Sequence, residues 1–181
     1  MLRKAMKVSF IAVFSAMASV LEVFPLDLPF PLFPKLTFDP TGIPLTLAQY
    51  MFGLTISIPS TIITGIVIAL PRIFKPPNPI GGFFKVCAET STLIGIFLTK
   101  RFWKNSMYRL ILSIIGGSFL RTIVMTIINL IFLPIFYGIP EKIVLNILWL
   151  IAVFNIIQAI INIVFADILY RALEKRKVFS L

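Results

Sequence analysis

A chain of 181 residues that is 59% hydrophobic and only 13% charged, with a mean hydropathy of +1.01, carries about half the charge of an ordinary soluble domain. That excludes a soluble globular protein and identifies an all-α integral membrane protein. Seventeen basic against seven acidic residues leave a formal charge of +10, which in so apolar a sequence belongs to loops facing a cytoplasmic leaflet, with no nucleic acid as partner. The single cysteine, Cys87, excludes an internal disulfide, and the absence of histidine removes the usual zinc ligands and the base of a His-dependent triad. No metal and no cofactor is expected.

The first apolar segment runs from Val8 to Phe24. Its basic leader, Met1 to Lys7, imitates a secretory signal, but further apolar segments follow, so it reads as a retained helix. Proline then clusters: Pro25, Pro29, Pro31, Pro34, Pro40 and Pro44 fix backbone angles and bias their predecessors to extended forms. Phe24 to Asp39 is therefore an ordered external loop, whose Phe30, Leu32, Phe33 and Phe38 either lie over a cavity mouth or anchor the chain at the membrane interface. Asp39-Pro40-Thr41-Gly42-Ile43-Pro44 reads as a helix start, with Asp39 or Thr41 as the capping oxygen.

The stretch from Ile43 to Leu70 would make a single helix of about 42 Å, longer than a hydrocarbon core of about 30 Å. Pro59 lies near its middle, and proline is better placed at the start of a new helix. Two short helices are expected, Ile43 to Ile56 and Pro59 to Leu70, turning at Thr55 to Ile58. Three longer spans follow at Ile80 to Thr99, Tyr108 to Leu133 and Val144 to Tyr170, which makes six transmembrane helices in a single membrane domain, residues 1–181. With both termini cytoplasmic, Arg3, Lys4, Lys7, Lys100, Arg101, Lys104, Arg109, Arg171, Lys175, Arg176 and Lys177 lie inside and Lys35, Arg72, Lys75 and Lys142 outside, eleven against four. Five helices give at best nine against six and strand the basic N-terminus outside, so the positive-inside rule favours six.

Three of these helices carry polar stripes. Lys85, Glu89 and Thr92 share a face of the fourth, Arg121, Met125 and Asn129 of the fifth, and Asn155, Gln158 and Asn162 of the sixth. Ionisable groups at bilayer depth are expensive. Glu89 and Arg121 fall near mid-depth, where an ion pair between them would act as an interhelical fastener. The neutral amides Asn129, Asn155 and Gln158 suit a hydrogen-bonding heterocycle better than a proton relay. On the first helix, Ala12-x-x-x-Ala16, with Ser9, Ser15, Ala18 and Ser19 around it, forms a small-residue face. Such a face serves either internal packing or the close approach of a partner helix.

These residues together resemble the substrate-binding S component of energy-coupling factor (ECF) vitamin transporters, most nearly the riboflavin-specific type. The resemblance rests on Ala12-x-x-x-Ala16, on Phe33-Pro34-Lys35-Leu36-Thr37-Phe38-Asp39 leading to Ile43-Pro44, on Phe52-Gly53 at the end of helix two, on Asn129-Leu130-Ile131-Phe132-Leu133-Pro134 with Tyr137-Gly138 as the end of helix five, and on Phe154-Asn155-Ile156-Ile157-Gln158 as the start of helix six. It implies a multi-pass cell-membrane protein that is not an enzyme. Such a subunit takes a small-molecule vitamin from outside and docks onto a transmembrane coupling protein driven by two cytoplasmic ATPase subunits.

By the same resemblance, Ala12 and Ala16 become coupling contacts and Asn129, Asn155 and Gln158 line the pocket, and we add Lys85, Glu89, Phe38 and Asp39 as candidate substrate contacts. The riboflavin-type pattern has lysine where Gln158 stands and a less charged fourth helix. Another flavin, another heterocyclic vitamin or a modified nucleobase therefore stays open beside riboflavin. From other classes, a self-sufficient secondary carrier is the main alternative. A membrane enzyme is disfavoured by the scatter of Glu22, Asp27, Asp39, Glu89, Glu141, Asp167 and Glu174.

Overall fold

The computed structural model describes residues 4–24, 27–33, 36–103 and 105–176, apart from the side chain of Ser106. Arg3, Lys35, Lys104 and Lys177 of the charge comparison, and Pro25 and Pro34 of the first loop, lie outside the described residues. The helices are α1 (Lys4–Val23), α2 (Gly42–Phe52), α3 (Leu54–Ala69), α4 (Pro79–Thr99), α5 (Ser106–Tyr137) and α6 (Glu141–Lys175), with a 3₁₀ turn at Lys100–Phe102. Between α1 and α2 two short strands, β1 (Leu28–Pro29) and β2 (Thr37–Phe38), pair antiparallel with Leu28 opposite Phe38. The proline-rich loop is thus a small hairpin.

Four helices, α1, α4, α5 and α6, are long and apolar enough to cross a membrane. The Ile43–Leu70 stretch does divide, but at Gly53 rather than at Thr55 to Ile58. Gly53 has φ 74° and ψ −169°, a conformation that strains any residue with a Cβ, and its N–H closes α2 by donating to the Gln49 carbonyl at 3.0 Å. Pro59 lies inside α3, where it removes the helical partner of the Thr55 carbonyl without ending the helix. Similarly α5 continues past the expected end at Leu133, through Pro134, to stop at left-handed Gly138 (φ 62°). The expected cap on α2 is not made, because Asp39 Oδ1 accepts from Thr41 N at 3.0 Å while the Thr41 hydroxyl donates to Glu22 at 3.2 Å.

Helix α2 is the centre of the molecule. Eight of its eleven residues are buried, and its Leu47, Ala48 and Tyr50 join Phe14, Ile56, Ile96, Ala159 and Ile163 in the core. Helix α5 is the opposite case, an inside-out amphipathic helix. Ile111, Ile115, Phe119, Ile123, Ile127 and Ile131 recur every fourth residue on its exposed side, while Ser113, Gly117, Arg121, Met125 and Asn129 recur every fourth residue on its buried side. A polar stripe toward the bundle and an apolar one outward is the arrangement a lipid surround demands.

Glycines set how closely the long helices approach. A Cβ on Gly95 would stand 2.2 Å from the Gly116 carbonyl oxygen, and one on Gly82 2.5 Å from that of Gly65, so α4 meets both α5 and α3 backbone to backbone. The small residues of α1 divide between two faces. Ser15 and Ala18 are buried, whereas Ala12 and Ala16 are exposed beside Val13, Met17 and Val20.

Candidate functional site

The hairpin, α4, α5 and α6 line a partly open cavity of about 870 Å³. Helical periodicity builds its wall. Gly81, Phe84, Lys85 and Ala88 of α4 face it, as do Arg121, Met125, Asn129, Leu133 and Tyr137 of α5, and Ile143, Ile147, Ile151, Phe154, Asn155 and Gln158 of α6. The α5–α6 connection and Phe33, Leu36, Thr37 and Asp39 of the hairpin complete it. Most of this wall is apolar, with a few polar groups converging on one side, the usual make-up of a small-molecule site.

Asn129 turns its amide N–H onto the Met125 carbonyl of its own helix at 2.6 Å, and the other charged and amide groups form one network. The Lys85 ammonium donates to the Asp39 carboxylate and lies 3.6 Å from Glu89 Oε1. Arg121 Nη1 donates to Glu89 Oε1 at 2.9 Å and to Thr92 Oγ1 at 3.3 Å, and its Nε donates to Asn155 Oδ1 at 3.0 Å. Asn162 Nδ2 donates to Glu89 at 3.4 Å. Gln158 Nε2 donates to the Asp39 carbonyl at 2.7 Å and to Asn162 Oδ1 at 3.1 Å, which ties α6 to the hairpin. Its Oε1 is buried with no hydrogen-bond partner. An unpartnered buried acceptor beside a cavity is a place for a ligand donor.

The residues singled out in the sequence separate here. Asn129, Asn155, Gln158, Lys85 and Asp39 line the cavity, as does Arg121, while Phe38 and Glu89 are outside its lining. Phe38 stacks on Phe154 with ring centroids 5.0 Å apart and meets Phe30 edge-on at 5.6 Å. It supports the wall from behind. Glu89 has no accessible surface and sits against the start of α2, where a Cβ on Gly42 would be 2.6 Å from its Oε2 and 1.9 Å from Asn162 Nδ2. Of the loop aromatics and aliphatics, Phe33 lines the cavity, Phe30 is buried and Leu32 exposed. Burial pushes the Asp39 carboxyl up, but the Lys85 charge and hydrogen bonds from Lys85 and Thr41 outweigh it and hold the group below the ordinary carboxylate value.

Two clusters were not foreseen. Glu22, at the end of α1, pairs with Arg72 and Lys75 of the α3–α4 connection, and Lys75 reaches Asp27 of the hairpin loop at 2.7 Å. At the opposite end of the bundle, Arg109 Nε donates to Asp167 at 2.9 Å, Arg171 also pairs with Asp167, and the Arg109 guanidinium lies 4.4 Å from the Tyr170 ring centroid. The i, i+4 spacing of Asp167 and Arg171 was the available signal. Arg109 looked like a loop charge.

An apolar six-helix bundle around a hairpin-covered chamber with a polar floor defines a membrane-embedded binding protein. The family model for the substrate-specific component of ECF transporters matches residues 7–170, and the chain belongs to that family. The S component of a bacterial ECF transporter is 28% identical with a TM-score of 0.80, covering 96% of this chain and 98% of its own. The S component for biotin from an ECF-type ABC transporter has a TM-score of 0.61 at 17% identity over 93% of this chain and 92% of its own, which shows a shared fold. No curated protein matches the chain. ECF S components bind a vitamin substrate and pair with a coupling protein and ATPases.

Proposed function

We propose that this chain is the riboflavin-binding S subunit of an ECF importer. The observation that carries the reading is the chamber of about 870 Å³, large enough by volume for a small heterocycle, with a mostly apolar lining that includes the amides of Asn129, Asn155 and Gln158. The buried, unpartnered Gln158 Oε1 suits the imide N–H of a flavin ring, and the amides beside it suit its hydroxylated side chain. The matching loop and the end of α5 support riboflavin over other vitamins.

In this reading the chain makes six passes, four full spans and the two short helices α2 and α3, with both termini cytoplasmic, and the hairpin closes the external face. Helix α2 rises about 16 Å and α3 about 24 Å, so neither crosses alone as a straight span. The enclosing bundle, rather than lipid, surrounds α2, and the charge asymmetry of the loops supports the orientation. The exposed Ala12 and Ala16 supply the coupling-protein contact. Protein purified in mild detergent tests the substrate. A yellow sample that releases riboflavin on denaturation, identified by mass spectrometry, is expected. Release of a different heterocycle replaces the substrate within the family, and failure to bind any vitamin while folded overturns the importer reading.

A further inference from the structure

Four side chains of alternating formal charge, Asp39, Lys85, Glu89 and Arg121, follow one another at the cavity floor, each within salt-bridge distance of the next. Asp39, Lys85 and Arg121 border the cavity and Glu89 lies behind them. Among the described residues no other Asp, Glu, Lys or Arg lines the chamber, and Glu141 and Lys142, exposed where α6 begins, are of opposite sign. The floor therefore offers many hydrogen-bonding atoms and a formal charge of zero. One of the four charges arrives on the hairpin, so the compensation is complete only with the hairpin in place.

From this arrangement we infer that the site takes an uncharged ligand and rejects the anionic form of the same ring system, with Glu89 as the positioning residue that sets this selectivity through Arg121. A phosphate monoester, at about −1.5 to −2 charge near neutral pH, would have to leave water for a chamber whose cations are already neutralised. No unpaired cation among the described lining residues offsets its desolvation. A cationic ligand meets the mirror-image problem, because Asp39 and Glu89 are paired as well. Apolar surroundings sharpen both effects, since charge interactions are less screened there than in water. Glu89 borders no ligand space, so packing against substrate does not explain a carboxylate at that point. Compensation of Arg121 does.

The inference uses the flavin reading for its probes, riboflavin and its phosphate ester flavin mononucleotide, and a panel of charged vitamins separates the two claims. Ligand-free full-length protein in detergent is titrated with each flavin by fluorescence quenching, then with anionic biotin and pantothenate, cationic thiamine and uncharged pyridoxine. The wild type should bind riboflavin at least about 100-fold more tightly than flavin mononucleotide. Glu89→Gln should weaken riboflavin and strengthen the phosphate ester, narrowing the ratio about tenfold, or about 1.4 kcal/mol. Structural damage alone would weaken both ligands.

Asp39→Asn, on the hairpin, should narrow the ratio the same way, and Glu89→Gln combined with Arg121→Gln should restore it. That double variant leaves no unpaired buried charge and keeps the test open if the single one fails to fold. A wild type that binds both flavins alike, or a ratio unmoved by Glu89→Gln and Asp39→Asn, overturns the charge inference and leaves the flavin reading standing. Preference for pyridoxine over every flavin overturns the flavin reading and supports an uncharged ligand. Preference for biotin, pantothenate or thiamine overturns both, as does binding of none.

Discussion

Two of the arginine–carboxylate pairs among the described residues bury both partners between the long helices, and they teach different lessons. Arg121 and Glu89 join α5 to α4 beside an open chamber, and their neighbours include Gln158 with an acceptor left over. Arg109 and Asp167 join the opposite ends of α5 and α6, about 18 Å along α5 from Arg121, and are closed over by the rings of Tyr170 and Tyr50. Both pairs would look functional on the rule that charge inside a membrane is expensive. Open volume distinguishes them: Arg121 faces a cavity and Arg109 faces aromatic rings.

The sharpest way to break that contrast is to disable the closed pair. Asp167→Ala strips the carboxylate from both Arg109 and Arg171, and removal of one partner from a buried pair destabilises by about 3–5 kcal/mol. We expect a large loss of stability in denaturation of the detergent-solubilised protein, with ligand affinity of the folded fraction within about twofold of wild type. A collapse of affinity at unchanged stability would show that the far end contributes to the site. Next in size is Gly95→Ala, whose new methyl meets the Gly116 backbone carbonyl at 2.2 Å. With backbone on the other side there is no side chain to move, and overpacking of this kind costs about 1–3 kcal/mol. An unchanged melting temperature would mean that α4 and α5 can separate without loss.

At the open pair the readout changes from stability to binding. Asn155→Ala and Asn129→Ala should each weaken ligand binding by about 1–3 kcal/mol, the range for a lost buried hydrogen bond. Asn155 should show the larger effect because it also orients Arg121. Calorimetric titration decides, and affinities equal to wild type would leave Asn155 as an interhelical partner of Arg121 and Asn129 as a partner of the Met125 carbonyl on its own helix.

These contrasts also mark what the sequence discloses. Periodicity found the three polar stripes, and with them Lys85, Arg121, Asn129, Asn155 and Gln158, because every residue on a helix face four apart must share its surroundings. It overreached at Glu89, since facing the same side of the bundle does not decide which side chain reaches open space and which supports it, and Phe38, singled out from the aromatic first loop, likewise supports the wall from behind. The α2–α3 break was legible as a fact, and the family resemblance put Phe52-Gly53 at the end of the second helix, but the proline argument placed the turn at Thr55 to Ile58. Proline was weighted as the breaker, whereas the backbone needed positive φ and Gly53 supplied it. Arg109 was invisible because a basic residue near a helix start is ordinarily solvated, and only the folded chain brings Asp167 to it. The close glycine contacts at Gly65, Gly82, Gly95 and Gly116 were passed over in favour of Ala12 and Ala16, which the fold leaves exposed.

That last difference yields a small effect on the molecule and a large one on its assembly. Ala12→Leu and Ala16→Leu add bulk to an exposed face, so the melting temperature and ligand affinity should stay at wild-type values. Co-purification with the coupling protein should be lost. Destabilisation instead would reassign this face to internal packing, and normal co-purification would remove it from the docking surface.

The smallest expected effect is on pH, and it again separates two parts of the structure, the hairpin and the helices it covers. Asp39 is on the hairpin and its carboxyl is held below the ordinary value of 3.8, because Lys85 and Thr41 together outweigh burial. A group whose folded pKa is lowered contributes stability that is full above its unfolded pKa and is lost as pH falls through the folded value. The hairpin should therefore be indifferent to acid from pH 8 to 5 and loosen only below about pH 4. The Phe30 amide, which donates across the hairpin to the Leu36 carbonyl at 2.8 Å, gives a local readout by hydrogen exchange corrected for its intrinsic pH dependence. Asp39→Asn should flatten the acid limb, since no carboxylate remains to lose. Loss of protection already between pH 7 and 5 would show that another group holds the hairpin closed.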